Sequence, residues 1–385
     1  MKLRSLTAIA LEATYADIFG GEGQVPLQLR MPAAHFRRIP RKGQFTTLVI
    51  AESEDGIKGF GECFGLPHPL QATALVNHVI APAITGAVVD DPYAMTQDLR
   101  DYFYALGLTR GAAMEALSGV DIALWDLKAR DRGEALAKTL GASAGPVPVY
   151  VSPIAFRETP SDTARDVTDY IRQGYRAFKL KIGRGVAIDL AHIEAARDAA
   201  GKAPLYLDVN CGYDVATSIT LAQELARFDI GWLEEPINPD DPAALAEVRA
   251  KSPVPIGAGE NEFTFEAHAA LIKAGAVDFL QPNITRAGGV SGMLRLGALA
   301  AKHGVKLAPH GVGGCVAVAA SLHAARAAEA LHAYEANRLL NPLRDQMGLH
   351  LPQLQDGCLI AADRAGHGGE PDMAAVEKYR IKAAT

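Results

Sequence analysis

Cysteine is scarce in this sequence, and its few copies lie far apart. The four cysteines are Cys63, Cys211, Cys315 and Cys358, and none of them forms a C-x-x-C pair. A disulfide framework or a zinc site is therefore not expected, and a reducing cytoplasm is the natural setting. A glycine-rich G-x-G-x-x-G loop that opens a helix is also missing, which argues against a dinucleotide-binding sheet.

The chain also lacks a strong charge bias and a long apolar run. Its formal net charge is −6, so nothing indicates a nucleic-acid partner or a basic membrane patch. No stretch approaches the roughly 18 consecutive apolar residues of a membrane span. Glu12 and Asp17 interrupt the apolar N-terminal run before it takes the form of a signal peptide. We expect a soluble cytoplasmic protein.

The pattern of predicted strands and helices changes after the first third of the sequence. Residues 46–63 contain two strand-like runs joined at Glu54, Asp55 and Gly56, which predicts a hairpin. A helical stretch over about 71–140 follows, so the N-terminal part is expected to be an α+β domain. We place this capping domain at residues 1–130, a barrel at 131–350, and a C-terminal segment that returns to the capping domain at 351–385.

From about residue 146 the pattern alternates strictly between short apolar strands and alanine-rich helices, as in a (β/α)8 barrel. A doubly wound parallel sheet is the rival, but it does not need eight such units. The eight predicted strands are "VPVYVS", "FKLKI", "LYLDVN", "GWLEEP", "PIGAGE", "FLQPN", "KLAPH" and "AYEAN".

Seven of these strands in succession end in polar residues. Each residue alone has a bland explanation, such as a helix cap, a satisfied core histidine or a surface acid. Together they indicate an active site, because the carboxyl ends of barrel strands meet at one mouth. The series is Lys179 and Lys181, Asp208 and Asn210, Glu234 and Glu235, Glu260, Asn283, His310, and Glu335.

Three carboxylates in this series predict a metal site. Asp208, Glu234 and Glu260 come from successive strands, and side by side they would repel one another unless a cation lies between them. Oxygen-only ligands favour Mg²⁺, or Mn²⁺ as a substitute, over zinc. Lys181, next to Lys179 and the metal, is expected to have a lowered pKa and to remove a proton α to a carboxylate, with His310 on the opposite side.

The motifs as a set resemble the enolase superfamily, specifically the mandelate racemase subgroup (the mandelate racemase/muconate lactonizing enzyme family). The resemblance implies a capping domain and a modified (β/α)7β barrel. The segments that carry it span nearly the whole chain: "GFGEC", "LSGVDIALWDLKAR", the K-x-K pair, "LDVN", "LEEP", "GAGEN", "QPNITRAGG", "PHG" and "YEANRLLNPLR".

The resemblance also implies roles for individual residues. Mg²⁺ would bind Asp208, Glu234 and Glu260, with Lys181 as one acid/base, assisted by Lys179, and His310 as the other. A protonated Glu335 would bond the substrate carboxylate. Capping loops near 13–28 and 63–70 would select the substrate. The candidate substrate-binding residues are Asn210, Tyr15, His35 and His68, and Arg30, Arg37 and Lys42 are further loop candidates.

One position departs from the family pattern. An aspartate usually pairs with the histidine, and here the residue is Asn283. An amide can orient His310 but cannot stabilise an imidazolium by charge, so Lys181 is the expected proton acceptor.

Four functions remain open at this point. They are a sugar-acid dehydratase (a lyase that forms a 2-keto-3-deoxy acid), a sugar-lactone cycloisomerase, a racemase or epimerase of a 2-hydroxy acid, and a non-catalytic metal-binding relative. The expected partner is a small carboxylate, and self-association is a general expectation for such enzymes.

Overall fold

The computed structural model describes residues 1–36 and 38–382. An antiparallel sheet in the order β1–β2–β3 opens the chain, with β1 at Leu3–Thr14, β2 at Gly43–Ser53 and β3 at Lys58–Cys63. The predicted hairpin is confirmed, since β2 and β3 pair antiparallel around a turn in which Gly56 has φ +80°.

Helices cover one face of this sheet. The longest, α6, contacts β3 so closely that a Cβ on Gly61 would lie 1.9 Å from the carbonyl oxygen of Gly119. The glycines of "GFGEC" therefore permit strand and helix to touch at the backbone. The helices of this region are α1 (Tyr15–Phe19), α2 (Leu27–Arg30), α3 (Leu70–Leu75), α4 (Ala81–Ile84), α5 (Pro92–Ala105), α6 (Ala112–Asp131) and α7 (Leu136–Thr139), with a π-helical turn at Val76–Ile80 and 3₁₀ turns at Glu22–Gln24 and Ala34–Phe36.

The eight predicted barrel strands all form, and they close into the expected barrel. Neighbouring strands are parallel, β11 pairs with β4, and a bridge between Leu307 and Leu331 joins β10 to the start of the last unit. The strands are β4 (Gly145–Ile154), β5 (Phe178–Lys181), β6 (Leu205–Asp208), β7 (Ile230–Glu234), β8 (Ile256–Ala258), β9 (Phe279–Leu280), β10 (Lys306–Leu307) and β11 (Tyr334–Asn337).

Seven of the strands are followed by full helices, and the eighth by a single turn. This is the expected (β/α)7β arrangement, and the C-terminal β12–β13 hairpin pairs with β4 beside the short eighth unit. The elements are α8 (Pro160–Arg172), α9 (Val186–Ala200), α10 (Val215–Glu224) with a 3₁₀ turn at Leu225–Arg227, α11 (Pro242–Lys251), α12 (Phe265–Lys273), α13 (Gly289–Lys302), α14 (Cys315–Ala327), α15 (Pro342–Asp345), β12 (Leu354–Gln355), β13 (Cys358–Ala361) and α16 (Met373–Tyr379).

Buried polar contacts join the N-terminal region to the barrel. The carboxylate of Glu62 accepts hydrogen bonds from the backbone N–H groups of Gly314 (2.5 Å) and Ala317 (2.9 Å), at the start of α14. Arg286 bonds Glu115 of α6 at 3.2 Å, and its guanidinium lies 3.5 Å from the ring centroid of Phe64. Within the described residues, no helix combines the length and hydropathy that a membrane crossing requires.

Candidate active site

Three carboxylates converge at the carboxyl end of the barrel. Asp208 ends β6, Glu234 ends β7 and Glu260 follows β8, and all three are buried. The parallel register sets Asp208 opposite Glu234. One oxygen from each of the three residues lies within 4.8 Å of the others. Separate residues cap the following helices, Asp214 for α10 and Thr264 for α12, so capping does not account for Asp208 or Glu260.

The electrostatics of this cluster fit a divalent cation. Burial, together with the charge of Asp208, raises the pKa of Glu234 well above its usual value. Glu260 Oε2 is buried and accepts no hydrogen bond from any residue of the described ranges. Carboxylate oxygens that repel one another, with an unsatisfied oxygen among them, form a donor set suited to a hard ion such as Mg²⁺.

Glu234 is held from behind by side chains of the barrel interior. Its Oε2 accepts hydrogen bonds from Trp232 Nε1 at 3.0 Å and from Gln281 Nε2 at 2.5 Å. Its Oε1 accepts from Lys179 Nζ at 2.5 Å. These donors orient the carboxylate, as outer-shell partners of metal ligands commonly do.

The two lysines of β5 are both inside the mouth, Lys179 below and Lys181 above. Lys179 is completely buried, and its Nζ also lies 3.4 Å from Asp208 and 3.5 Å from Glu335. Lys181 donates hydrogen bonds to Asp208 and, at 2.9 Å, to Asn210 Oδ1. The lysines therefore form one ionic cluster with the carboxylates.

The pKa of Lys181 was expected to be lowered by Lys179 and a bound metal cation, and the protein's own groups act in the opposite direction. Burial alone would lower the pKa, and Lys179 acts in the same direction. The charges of Asp208, Glu260 and Glu335 outweigh both, so the pKa of Lys181 is raised. The sequence-based expectation counted the charges of Lys179 and the metal cation and left out the direct effect of the carboxylates on Lys181.

The protonated Glu335 that the resemblance implies for substrate binding is not favoured by the protein's own charges. Burial would raise the pKa of Glu335, but the positive charge of Lys179, with His310 and Lys181, lowers it to about 2. Glu335 Oε2 accepts a hydrogen bond from the Gly311 N–H at 3.1 Å. The carboxylate is thus stabilised as an anion at the rear of the mouth.

His310 lies on the opposite side of the mouth from Lys181. Its Nε2 is 3.3 Å from Glu260 Oε2 and 3.7 Å from Glu335 Oε2, and burial lowers the pKa of the ring. Its Nδ1 lies 2.9 Å from Asn283 Nδ2. The ring of Phe64, from the loop after β3, lies 6.4 Å from the imidazole.

The predicted substrate-binding residues occupy different places. Asn210 joins the site through Lys181 and lies 3.5 Å from Glu260. His35 is exposed above β5 and β6, where its neighbour Ala34 lies close to Gly183 and Gly212. Loss of hydration around part of the ring lowers the pKa of His35 to about 4, and the charge of Lys181 acts in the same direction.

Tyr15 and His68 form no hydrogen bond to the carboxylate cluster within the part of the chain that the structure describes. Tyr15 is buried, and its hydroxyl accepts from Gln44 Nε2 at 2.8 Å and lies 3.4 Å from the carbonyl oxygen of Leu340. His68 is exposed in the loop after β3, where its ring lies 5.8 Å from that of Phe45. Arg37 lies outside the described residues.

Two family models match this chain. Residues 25–141 match the mandelate racemase/muconate lactonizing enzyme N-terminal domain, and residues 162–375 match the enolase C-terminal domain-like family. The chain belongs to the mandelate racemase subgroup of the enolase superfamily. The residue roles that the resemblance implied are therefore expectations about a chain whose family membership is shown.

Relatives in this subgroup carry related activities. The chain is 34% identical to D-galactarolactone cycloisomerase from Agrobacterium fabrum, over 87% of this chain and 91% of the relative. It is also 34% identical to L-talarate/galactarate dehydratase from Salmonella typhimurium, over 83% and 79%. A crystal structure of a racemase from Streptomyces coelicolor with bound magnesium superposes with a TM-score of 0.88, at 26% identity and with 98% and 100% coverage.

Sequence analysis did not identify some of the residues that surround the carboxylate cluster of this mandelate racemase-subgroup chain. Trp232 stands two residues before Glu234, so strand alternation places both on the same face, and that signal was available. Gln281 and Arg286 reach the site from the segment that follows β9, and nothing in the sequence identifies their partners. Arg286 bonds the carbonyl oxygen of Glu260 and Asn261 Oδ1, each at 3.2 Å.

Proposed function

We propose that the protein is a Mg²⁺-dependent enzyme that removes the proton α to the carboxylate of a sugar acid and then eliminates a β-oxygen. The observation that carries this proposal is the placement of Lys181 and His310 on opposite sides of the Asp208–Glu234–Glu260 cluster. Activity on sugar acids agrees with the names of the relatives, which include dehydratases and cycloisomerases.

Each group has a definite task in this scheme. Asp208, Glu234 and Glu260 would hold the Mg²⁺, which when bound supplies positive charge next to the substrate carboxylate and the enolic oxygens. Lys181 Nζ takes the α-proton. The pKa of Lys181 depends on the charge of Asp208, so neutralising that carboxylate removes the largest upward contribution and favours the neutral amine.

The leading reaction is dehydration. The electron pair of the α-C–H bond forms the enolic double bond, and the β-C–O bond breaks with its electrons going to oxygen. That oxygen leaves as water after taking a proton from the His310 side, and the enol becomes a 2-keto-3-deoxy acid. Aldonates and aldarates are both candidate substrates, and Asn210, Tyr15, His35 and His68 remain proposed contacts to them.

Lactone cycloisomerisation is the second candidate. The cycloisomerase from Agrobacterium fabrum is matched over 91% of its length, and the run from Glu335 to Asn341 and Pro342 resembles that class. The first step is the same, and the leaving oxygen is then the ring oxygen of a lactone.

We also propose the division into a capping domain (1–130), a barrel (131–350) and a C-terminal segment (351–385), and self-association of the chain. The segment's contacts support its return to the first domain, since Arg380 forms a bridge with Leu11.

Deuterium exchange tests the proposed function. The protein with Mg²⁺ in D₂O is incubated with aldonates, aldarates and their lactones, and loss of the α-proton signal is followed by proton NMR. We expect exchange with at least one member, and its product distinguishes dehydration from ring opening. Lys181→Met should slow exchange by about 10²- to 10⁴-fold, the usual contribution of a general base.

The matched control is Lys251→Met, which removes a surface lysine paired with Glu247 at 2.7 Å. It should exchange at the wild-type rate. If Lys181→Met still exchanges the α-proton at the wild-type rate, Lys181 is not the base. If exchange persists after chelation of the metal, the reaction does not depend on Mg²⁺. No exchange across the panel would contradict activity on sugar acids.

A further inference from the structure

The side-chain amide of Asn283 is fixed in one orientation by four contacts. Its Oδ1 accepts from the backbone N–H of Thr285 at 2.9 Å and from Thr285 Oγ1 at 2.6 Å. Its Nδ2 lies 3.0 Å from the carbonyl oxygen of Val312 and 2.9 Å from His310 Nδ1. A backbone N–H can only donate and a carbonyl oxygen can only accept, so rotating the amide by 180° would break both backbone contacts.

This orientation determines which nitrogen of His310 carries the proton. Nδ1 faces an N–H group of Asn283 and must therefore present its lone pair. In a neutral imidazole the single proton then lies on Nε2. That nitrogen lies 3.3 Å from Glu260 Oε2 and 3.7 Å from Glu335 Oε2, and no hydrogen-bond donor faces it from these two residues when they are ionised.

We propose that Asn283 holds His310 in the Nε2–H tautomer, so that His310 donates a proton to the leaving oxygen and cannot act as the second base. The inference rests on the proposed function. It assigns removal of the α-proton to the Lys181 side and proton donation to the His310 side. An aspartate at position 283 would instead accept a hydrogen bond from Nδ1–H, so that the proton stays on Nδ1 and the lone pair of Nε2 faces the substrate, as racemisation by two bases requires.

The proton balance of the elimination follows from this tautomer. The α-proton goes to Lys181 Nζ, the electrons of the C–O bond go to the leaving oxygen, and that oxygen takes the proton from His310 Nε2. The ring then carries negative charge, which the N–H of Asn283 stabilises at Nδ1. The Lys181 ammonium returns its proton through solvent, and the ring regains one at Nε2.

Nitrogen NMR of the Mg²⁺-loaded protein, labelled with ¹⁵N at histidine, tests the tautomer without a substrate. The signals of His310 are assigned by their loss in His310→Gln. We expect Nδ1 at the shift of an unprotonated nitrogen and Nε2 at that of a protonated one, with the reverse pattern in Asn283→Asp. A protonated Nδ1 in the wild type would overturn the inference whatever the substrate is, so this result is independent of the exchange experiment.

A second readout uses a pair of substrates that differ only in configuration at the α-carbon. Wild type should exchange the α-proton of one epimer at least about 10²-fold faster than that of the other, since one face has no base. Asn283→Asp should narrow this ratio, while Thr285→Val, which keeps the backbone contact to Oδ1, should leave it unchanged. Comparable exchange of both epimers by wild type would contradict the inference.

Discussion

The two sides of the active-site mouth are built on different principles. On the lysine side, Lys179 and Lys181 are surrounded by Asp208, Glu234 and Glu335, and the arrangement is held by opposite charges at short range. On the histidine side, Asn283 is neutral, and it is held by hydrogen bonds whose direction is fixed. Removing a charge should therefore destabilise the lysine side. Exchanging a hydrogen-bond donor for an acceptor should instead change the protonation pattern of the histidine side.

The largest expected effect is on the stability of the lysine side. Lys179→Met leaves Glu234 and Glu335 buried without their shared cation, and breaking a buried ion pair costs about 3–5 kcal/mol. The free energy of unfolding, measured by urea titration of the metal-free protein at pH 8, should fall by that amount.

The matching change on the histidine side is His310→Gln. Asn283 keeps its contacts to Thr285 and Val312 in this variant, so we expect a loss of about 1 kcal/mol, the worth of one hydrogen bond. Equal losses in the two variants would show that charge and direction do not separate the two sides.

A smaller effect is expected for metal binding when the carboxylate orientation is disturbed but the charge is kept. Trp232→Phe removes the indole donor to Glu234 Oε2 and should weaken Mg²⁺ binding about 10- to 100-fold, as loss of outer-shell partners does. Titration calorimetry measures this without any substrate.

The control is Trp125→Phe, which removes the other tryptophan, whose indole donates to Ser291 Oγ at 2.8 Å. Its Mg²⁺ affinity should equal that of wild type. If the two variants bind Mg²⁺ alike, the lysine side does not depend on the orientation of Glu234.

The smallest effect is expected at the exposed rim. His35→Ala removes at most one hydrogen bond to a substrate, worth about 0.5–1.5 kcal/mol, so KM should rise roughly 2- to 12-fold. The value of kcat should stay near wild type because His35 neither gives nor takes a proton in the proposed scheme. The control is His78→Ala, which changes an exposed histidine in the π-helical turn at Val76–Ile80. A large fall in kcat for His35→Ala would contradict this assignment.

The barrel could be predicted because each strand and helix has its own local pattern, and the polar strand ends followed from barrel geometry. β1 at Leu3–Thr14 was not assigned, since its apolar residues were considered only as an interrupted leader. The directions of the pKa shifts of Lys181 and Glu335 in the protein alone could not be predicted, because they depend on how many charges meet in space. Asn283 stood out in the sequence, but the direction of its amide required the positions of Thr285 and Val312.

The contact between Glu62 and α14 limits which capping regions could be combined with this barrel. A capping region grafted from a relative would have to present a carboxylate at the same point, because the backbone N–H groups of Gly314 and Ala317 would otherwise be left buried without an acceptor. That helix follows directly after the loop bearing His310. The capping region and the barrel are therefore expected to change together. Substrate range should change more readily by substitutions within loops than by replacement of a whole domain.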